Sequence, residues 1–329
     1  MLNGIKSNYI LRNVFNNLYL KICLKIIKNN NKLKQRIDIS LKDHIKTHYE
    51  IEIEIILIEK ENLPKEENIF INYNKEDISY IHIYLNNNYS QEIKRNYITK
   101  KDNANKIRII IEEKIKSFKD LFKRCYCIKE FSFTKFYRSD IYDMSYLFCA
   151  CSSLTKLNLS KLDTRNVINM SGMFWGCSLL KECNLSSFNT LNVTNMHCLF
   201  NLCSSLKQIN LMNFNTEKVT DMSNMFESCE RLEKINLFNF NTINVTNMCA
   251  MFSKCYSLKE ANITYFNLTN LTCMRWMFYD CGKLINLDVS KFIFNKENDI
   301  KSMFSKCSEE LIIKIKNQNK YIPEEAFVY

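Results

Sequence analysis

Cysteines stand at Cys125, Cys151, Cys177, Cys203, Cys229, Cys255, Cys281 and Cys307, and every interval is 26 residues. A phenylalanine lies three residues before each, from Phe122 and Phe148 to Phe304, and a methionine lies seven before most, from Met144 to Met274. A fixed period of this size marks a repeat array. A unit of 26 residues has no interior of its own, so it buries its apolar edge only by stacking on its neighbours.

One unit, residues 167–192, reads VINMSGMFWGCSLLKECNLSSFNTLN. In its first half Met170, Met173 and Phe174 fall at i, i+3 and i+4, which predicts a short helix or helical turn, with the Asn-Val-Thr stretches as N-caps. In the second half the pattern Leu154, Leu157, Leu159, Leu162 matches the core of a leucine-rich repeat. The alternation Leu157-Asn158-Leu159 predicts a short strand with leucine inward and asparagine outward, and it recurs at Ile209 to Leu211 and Ile235 to Leu237. Inward columns follow at Val193, Met196, Phe200, Cys203, Leu206, Leu211 and Phe214 and their counterparts one unit on. The expected fold is therefore an α/β repeat: a solenoid of short parallel strands and short helical turns, preceded by a small α+β N-terminal region. Strands about 4.8 Å apart make the eight coils roughly 40 Å long.

The expected divisions are a helical segment over 1–48, a β-rich capping region over 49–116, eight repeats over 117–307 and a C-terminal cap over 308–329. Runs at 50–58, 69–73, 80–85 and 106–111 read as strands, and the polar stretch 86–105 as a loop. The run 106–111 leads into Phe118 and Phe122, which makes it the candidate first strand of the array. The segment Leu311 to Ile315 reads as a closing strand. Glycine (4) and proline (2) are scarce, which argues against a fold rich in tight turns.

The net charge is +11, and ten basic residues stand against three acidic ones in the first 50. That segment reads as the solvated face of an amphipathic helix, and no nucleic-acid partner is expected. No stretch reaches the roughly 18 apolar residues of a membrane span, and the N-terminus carries no secretory pattern, so the chain reads as cytoplasmic.

The cysteine spacing does not suit zinc, which needs closely paired ligands converging on one point. One cysteine per coil instead predicts a column of buried free thiols bonded weakly to backbone. Of four histidines, His44 and His48 sit at i and i+4 and read as a surface face. His197 and Cys198 are adjacent, with no acidic orienting partner apparent. No catalytic residue, metal site or cofactor is expected.

The pattern V-T-x-M-x-x-M-F-x-x-C-S-S-L-K-x-x-N-L-x-x-F-N-T, best matched over Val219 to Thr242, resembles the BspA-like leucine-rich repeat. The resemblance covers roughly residues 118–307. It implies a right-handed, ligand-binding solenoid without enzymatic activity, and several relatives are secreted adhesins. The stretch Tyr9 to Leu18, followed by Leu24 to Asn30 and Leu33, is similar to an F-box lacking its Leu-Pro start and late tryptophan. That similarity implies a ubiquitin-ligase adaptor holding a Skp1-type subunit through residues 5–45.

The expected function is a monomeric, non-enzymatic scaffold that binds a protein partner of unknown identity on the inner face. The alternatives are an F-box-like adaptor and an adhesin of the BspA type. Candidate contact residues are Asn210, Met212, Asn236, Phe238, Asn262 and Tyr265. Met212 and Phe238 are apolar where other units carry serine or threonine, which fits either an exposed contact surface or a face covered by a cap. The asparagines read as a structural ladder in preference to contacts.

Overall fold

A computed structural model of the protein describes residues 50–74, 76–294 and 297–328. The helices expected over 1–48, the F-box resemblance and the His44/His48 pair lie outside the described residues.

Strand β1 (Ile51–Leu57) alternates strictly: Ile51, Ile53 and Ile55 are fully buried while the residues between them are half-buried. β-branched isoleucine suits such a pleated, one-sided surface. β3 (Ile81–Leu85) and β6 (Lys106–Ile111) add Ile81, Ile83, Ile107, Ile109 and Ile111 to the same layer. β4 (Glu92–Ile93) borders β3, and β2 (Asn68–Ile69) pairs with β5 (Tyr97–Ile98). The stretch expected as a loop thus carries two short strands. β7 (Ile128–Lys135) and β8 (Lys156–Asn158) complete a six-stranded sheet in the order β4-β3-β6-β1-β7-β8.

The strand that meets the repeats is β1, not the run 106–111. β6 has both edges occupied, by β1 and β3. β1 runs antiparallel to β7, setting Ile53 opposite Phe133 and Ile55 opposite Phe131, and β7 runs parallel to β8.

From there each 26-residue unit forms one coil. Parallel bridges link Ser117, Asp143, Asn169, Asn195, Asp221, Asn247, Cys273 and Asp299 in succession. On the opposite side β9 (Lys234–Asn236), β10 (Glu260–Asn262) and β11 (Asn286–Leu287) pair in parallel. In the two coils between β8 and β9, residues 182–184 and 208–210 join no strand ladder.

The first half of each unit is not the expected helix. It is a run of turns in which alternate N–H groups point different ways. The N–H of Leu147 donates to Met144 and that of Cys149 to Tyr146, within the coil. Those of Tyr146 and Phe148 donate instead to Ser171 and Met173 of the next coil. A helix would keep all of these bonds internal. The alternation needs left-handed residues at two positions per coil. One column is Tyr146, Gly172, Cys198, Asn224, Ala250, Trp276 and Ser302; the other includes Ala150, Gly176, Leu202, Ser228 and Lys254. Tight turns therefore dominate the array despite the scarcity of glycine, because the next coil rewards each strained residue with a hydrogen bond. Gly172 is needed for a further reason: a Cβ there would lie 2.4 Å from the Tyr146 ring.

Three buried columns bind coil to coil. Phe122, Phe148, Phe174, Phe200, Phe226, Phe252, Phe278 and Phe304 stack with centroids 5.3 to 6.0 Å apart, and Phe327 extends the stack at 5.7 Å. The Cys177 Sγ donates to the Phe148 carbonyl at 3.2 Å and the Cys203 Sγ to that of Phe174 at 3.1 Å, and the contact recurs down the array to Cys307. That same carbonyl already accepts from the backbone N–H of its own coil's cysteine, so the thiol fills its second lone pair. Thr164, Thr190, Thr216 and Thr242 are buried, and the hydroxyl of Thr190 donates to the Asn215 carbonyl while accepting from its N–H.

Arg138 joins the β-rich region to the array. Its side chain is fully buried. The guanidinium donates to the carbonyls of Glu112, Glu113 and Ile115 and forms an ion pair with Asp140 at 2.8 Å. At the other end, residues 311–315 are not a strand. They belong to helix α1 (Glu309–Gln318), whose first turn is capped by the Ser308 side chain. Leu311 and Ile315 are buried at helical spacing while Ile313 faces outward. Among the described residues no helix is long and apolar enough to cross a membrane.

Phe226→Ala opens the stack at its centre and should lower the unfolding free energy by about 3–5 kcal/mol in urea denaturation; a loss below about 1 kcal/mol would show that the stack is not a main source of stability. Arg138→Met leaves three buried carbonyls without their donor and should cost about 3 kcal/mol. Amide exchange should rise first around residues 112–116, and unchanged protection there would contradict the clamp.

Candidate functional site

The outward strand positions line one face of the array. The asparagines of this face are bound into the fold. The Oδ1 of Asn210 accepts from the Met212 N–H at 3.1 Å, and that of Asn236 from the Phe238 N–H at 3.3 Å. Asn262 donates to the Asn236 Oδ1 at 2.9 Å and accepts from the Thr264 hydroxyl. Asp288 makes the same turn with the Ser290 N–H. Each carbonyl or carboxylate oxygen bends the chain back where the extended half of its coil ends. The ladder role is therefore visible in the bonds.

The apolar residues beside them are open. Met212 is 45% exposed, Phe238 42% and Tyr265 65%, so neither the C-terminal segment nor the β-rich region covers them. The Lys291 ammonium lies 5.6 Å from the Tyr265 ring centroid.

The array also carries a groove that the sequence reading did not find. Where residues 182–184 and 208–210 leave the ladder, a cleft of about 870 Å³ opens along Glu130, Lys156, Cys183, Asn184 and Asn210. A smaller hollow of about 180 Å³ continues from Cys183 and Asn210 to Met212. Small size in the inward column does not mark the groove in the sequence, because Ala261 is smaller than Cys183 and still lies in a strand paired on both sides. The groove rim is charged: Lys156 pairs with Glu130 at 3.0 Å, Glu54 pairs with Lys106 at 2.6 Å, and Glu182 adds a third carboxylate.

The eight-cysteine column lies inside the coils. Burial pushes its thiols up, that of Cys203 to about 12, so they are protonated donors at neutral pH. Among the described residues no group of three or more histidine, cysteine and acidic side chains is placed to hold a metal ion.

His197 has an orienting partner in Ser223, and an acidic residue that the sequence did not reveal, Asp221, stands behind that hydroxyl. The Cys198 Sγ lies 3.2 Å from His197 Nε2, His197 Nδ1 lies 2.7 Å from the Ser223 hydroxyl, and that hydroxyl donates to Asp221 at 2.6 Å. Asp221 and Ser223 belong to the next coil, which is why no local pattern revealed them. Cys198 is only 5% exposed, and burial pushes its thiol up to about 11. A thiol so placed is a poor nucleophile.

Coils that share backbone bonds at a 26-residue offset, with leucines filling the strand half, define a protein of the leucine-rich-repeat type. A family model described as "Mycoplasma protein of unknown function, DUF285" matches residues 116–212 and 203–314, together more than half of the chain. The chain belongs to that family, whose repeats are BspA-like. It is similar to a solved leucine-rich repeat protein from Bacteroides ovatus ATCC 8483, at 18% identity and a TM-score of 0.26, over 60% of this chain and 70% of the other. No curated protein matches it.

Asn236→Asp keeps the acceptor for the Phe238 N–H and should leave stability within about 0.5 kcal/mol, whereas Asn236→Ala should cost about 1 kcal/mol. Equal melting temperatures for the two variants would remove the structural role of this side chain.

Proposed function

We propose that this protein is a monomeric, non-enzymatic scaffold, a leucine-rich-repeat-type solenoid that binds a protein partner on the strand face. In this reading residues 117–307 supply the repeats, and residues 49–116 and 308–329 close their two ends. The contact residues are Met212, Phe238 and Tyr265, with the outward edges of Asn210, Asn236 and Asn262.

The observation that carries the reading is the exposure of Met212 and Phe238 on adjacent coils, at a position where the other repeats carry serine or threonine. Consensus positions of a repeat are spent on the fold, so recognition falls to the outward residues that vary. Large flexible and aromatic side chains bounded by polar neighbours match the centre and rim of a protein interface. The groove beside Met212 offers such a partner a concave extension.

The test is affinity capture from the source cell's extract with the full chain. Phe238→Asp should reduce the captured partner at least about tenfold, equivalent to about 1.4 kcal/mol, with an unchanged melting temperature. Ile313→Asp, the same kind of change at an exposed position on α1, should capture as well as the parent. Undiminished capture by a Met212→Asp/Phe238→Asp double variant would overturn the assignment of this face.

A further inference from the structure

In most coils the residue at the parallel bridge is Asn or Asp, and its side-chain oxygen accepts the N–H two residues on. The pairs Asp143/Ser145, Asn169/Ser171, Asn195/His197, Asp221/Ser223 and Asn247/Cys249 all do this at 2.8 to 3.0 Å. In the first coil Ser117 stands there and its hydroxyl accepts from the Lys119 N–H at 3.2 Å; one coil has no oxygen at this position at all, because Cys273 stands there. The coil before it departs too, with Cys249 where three others carry serine.

The two departures meet. Asn247 and Cys273 are in register across a parallel bridge, and the N–H of Met248 donates to the Cys273 carbonyl at 2.8 Å. The side chains of Cys249 and Cys273 then lie on the same turn side of adjacent coils and interact with each other. Both are partly exposed. Of the other described cysteines only Cys307 is also partly exposed, and its thiol is spent on the Phe278 carbonyl.

We propose that Cys249 and Cys273 form a reactive dithiol between two coils, a modification site that takes small-molecule disulfides of the glutathione type and closes to an inter-coil disulfide. The Cys273 thiolate attacks one sulfur of the small disulfide, forming a mixed disulfide and releasing one thiolate. Cys249 then gives up its proton and attacks the Cys273 sulfur, releasing the second small thiolate. Two protein thiols are oxidised by two electrons, and one small disulfide is reduced to two thiols.

The order of attack follows from the charges around the pair. The neighbouring Cys249 side chain holds the Cys273 thiol down to about 7 against the opposing effect of burial, and the same interaction raises Cys249. The Arg275 guanidinium favours the thiolate, and Asp299, which pairs with Arg275 at 3.2 Å, opposes it. A thiol with a pKa near ambient pH is the better attacker.

The experiment treats reduced full-length protein with oxidised glutathione at neutral pH, quenches with acid, and maps every cysteine by mass spectrometry. The expected product has lost two hydrogens and contains a Cys249–Cys273 cross-link, while the eight-cysteine column stays reduced. Two variants restore residues found elsewhere in the columns and so keep the fold. Cys249→Ser should stop at a glutathione adduct on Cys273, and Cys273→Asn should yield no cross-link and no adduct on Cys249. Absence of the cross-link in the parent, or a Cys249→Ser variant with Cys273 unmodified, would overturn the proposal.

Discussion

No coil of this protein completes its own backbone hydrogen bonding. In the turn half, every second N–H leaves the coil for the carbonyl of the next one, and only the residues between them bond locally. That division constrains everything around it. It demands left-handed backbone at two positions per coil, and the chain accepts the conformation at residues such as Tyr146, Leu202 and Trp276. Such a conformation costs a non-glycine residue about 1–2 kcal/mol. It persists because a buried N–H left without a partner would cost as much or more.

The unmet groups at the two ends are then a liability, and the chain answers it with side-chain amides. At the first coil, Asn72 donates to the carbonyls of Asp120 and Lys123, and its N–H bonds to that of Leu121. At the last, Gln318 bonds both the Leu287 carbonyl and the Val289 N–H, as a further strand would. Asn319 donates to the carbonyls of Val289 and Phe292, the same pattern that Asn213 makes with Leu185 and Phe188 inside the array. Residues 325 and 326 accept from Ser302 and Phe304 where another coil would otherwise stand.

Much of this architecture was legible in the sequence, because period and column identity survive without knowledge of the backbone. The phenylalanine, cysteine and leucine columns are buried as read except at Cys307, Leu157 and Ile209, which are half-buried, and the column thiols bond to backbone. The turns were not legible as turns. Met170, Met173 and Phe174 have a spacing that a helix shares with a run of turns, and the deciding feature is the backbone at positions 172 and 176. Glycine scarcity misled for the same reason: its usual role passed to Tyr146, Ala150 and their equivalents. In the tail, alternation of Leu311, Ile313 and Ile315 suggested a strand, while Ser308 ahead of two glutamates was the helix signal. Of the candidate face, Met212 and Phe238 stood out because they break a column. The groove arises from missing ladder bonds, and Asp221 reaches His197 only across coils, so neither leaves a local trace.

The terminal amides imitate coil features without depending on how many coils lie between them. Among the described residues nothing at either end of the array sets a ceiling on it, so the fold can lengthen or shorten by whole units of 26 residues while every interface keeps its partner. A change of any other length would shift each column out of line. Evolution can therefore treat the outward strand face as extensible, adding one new outward residue set with each duplicated coil, while the two ends travel unchanged.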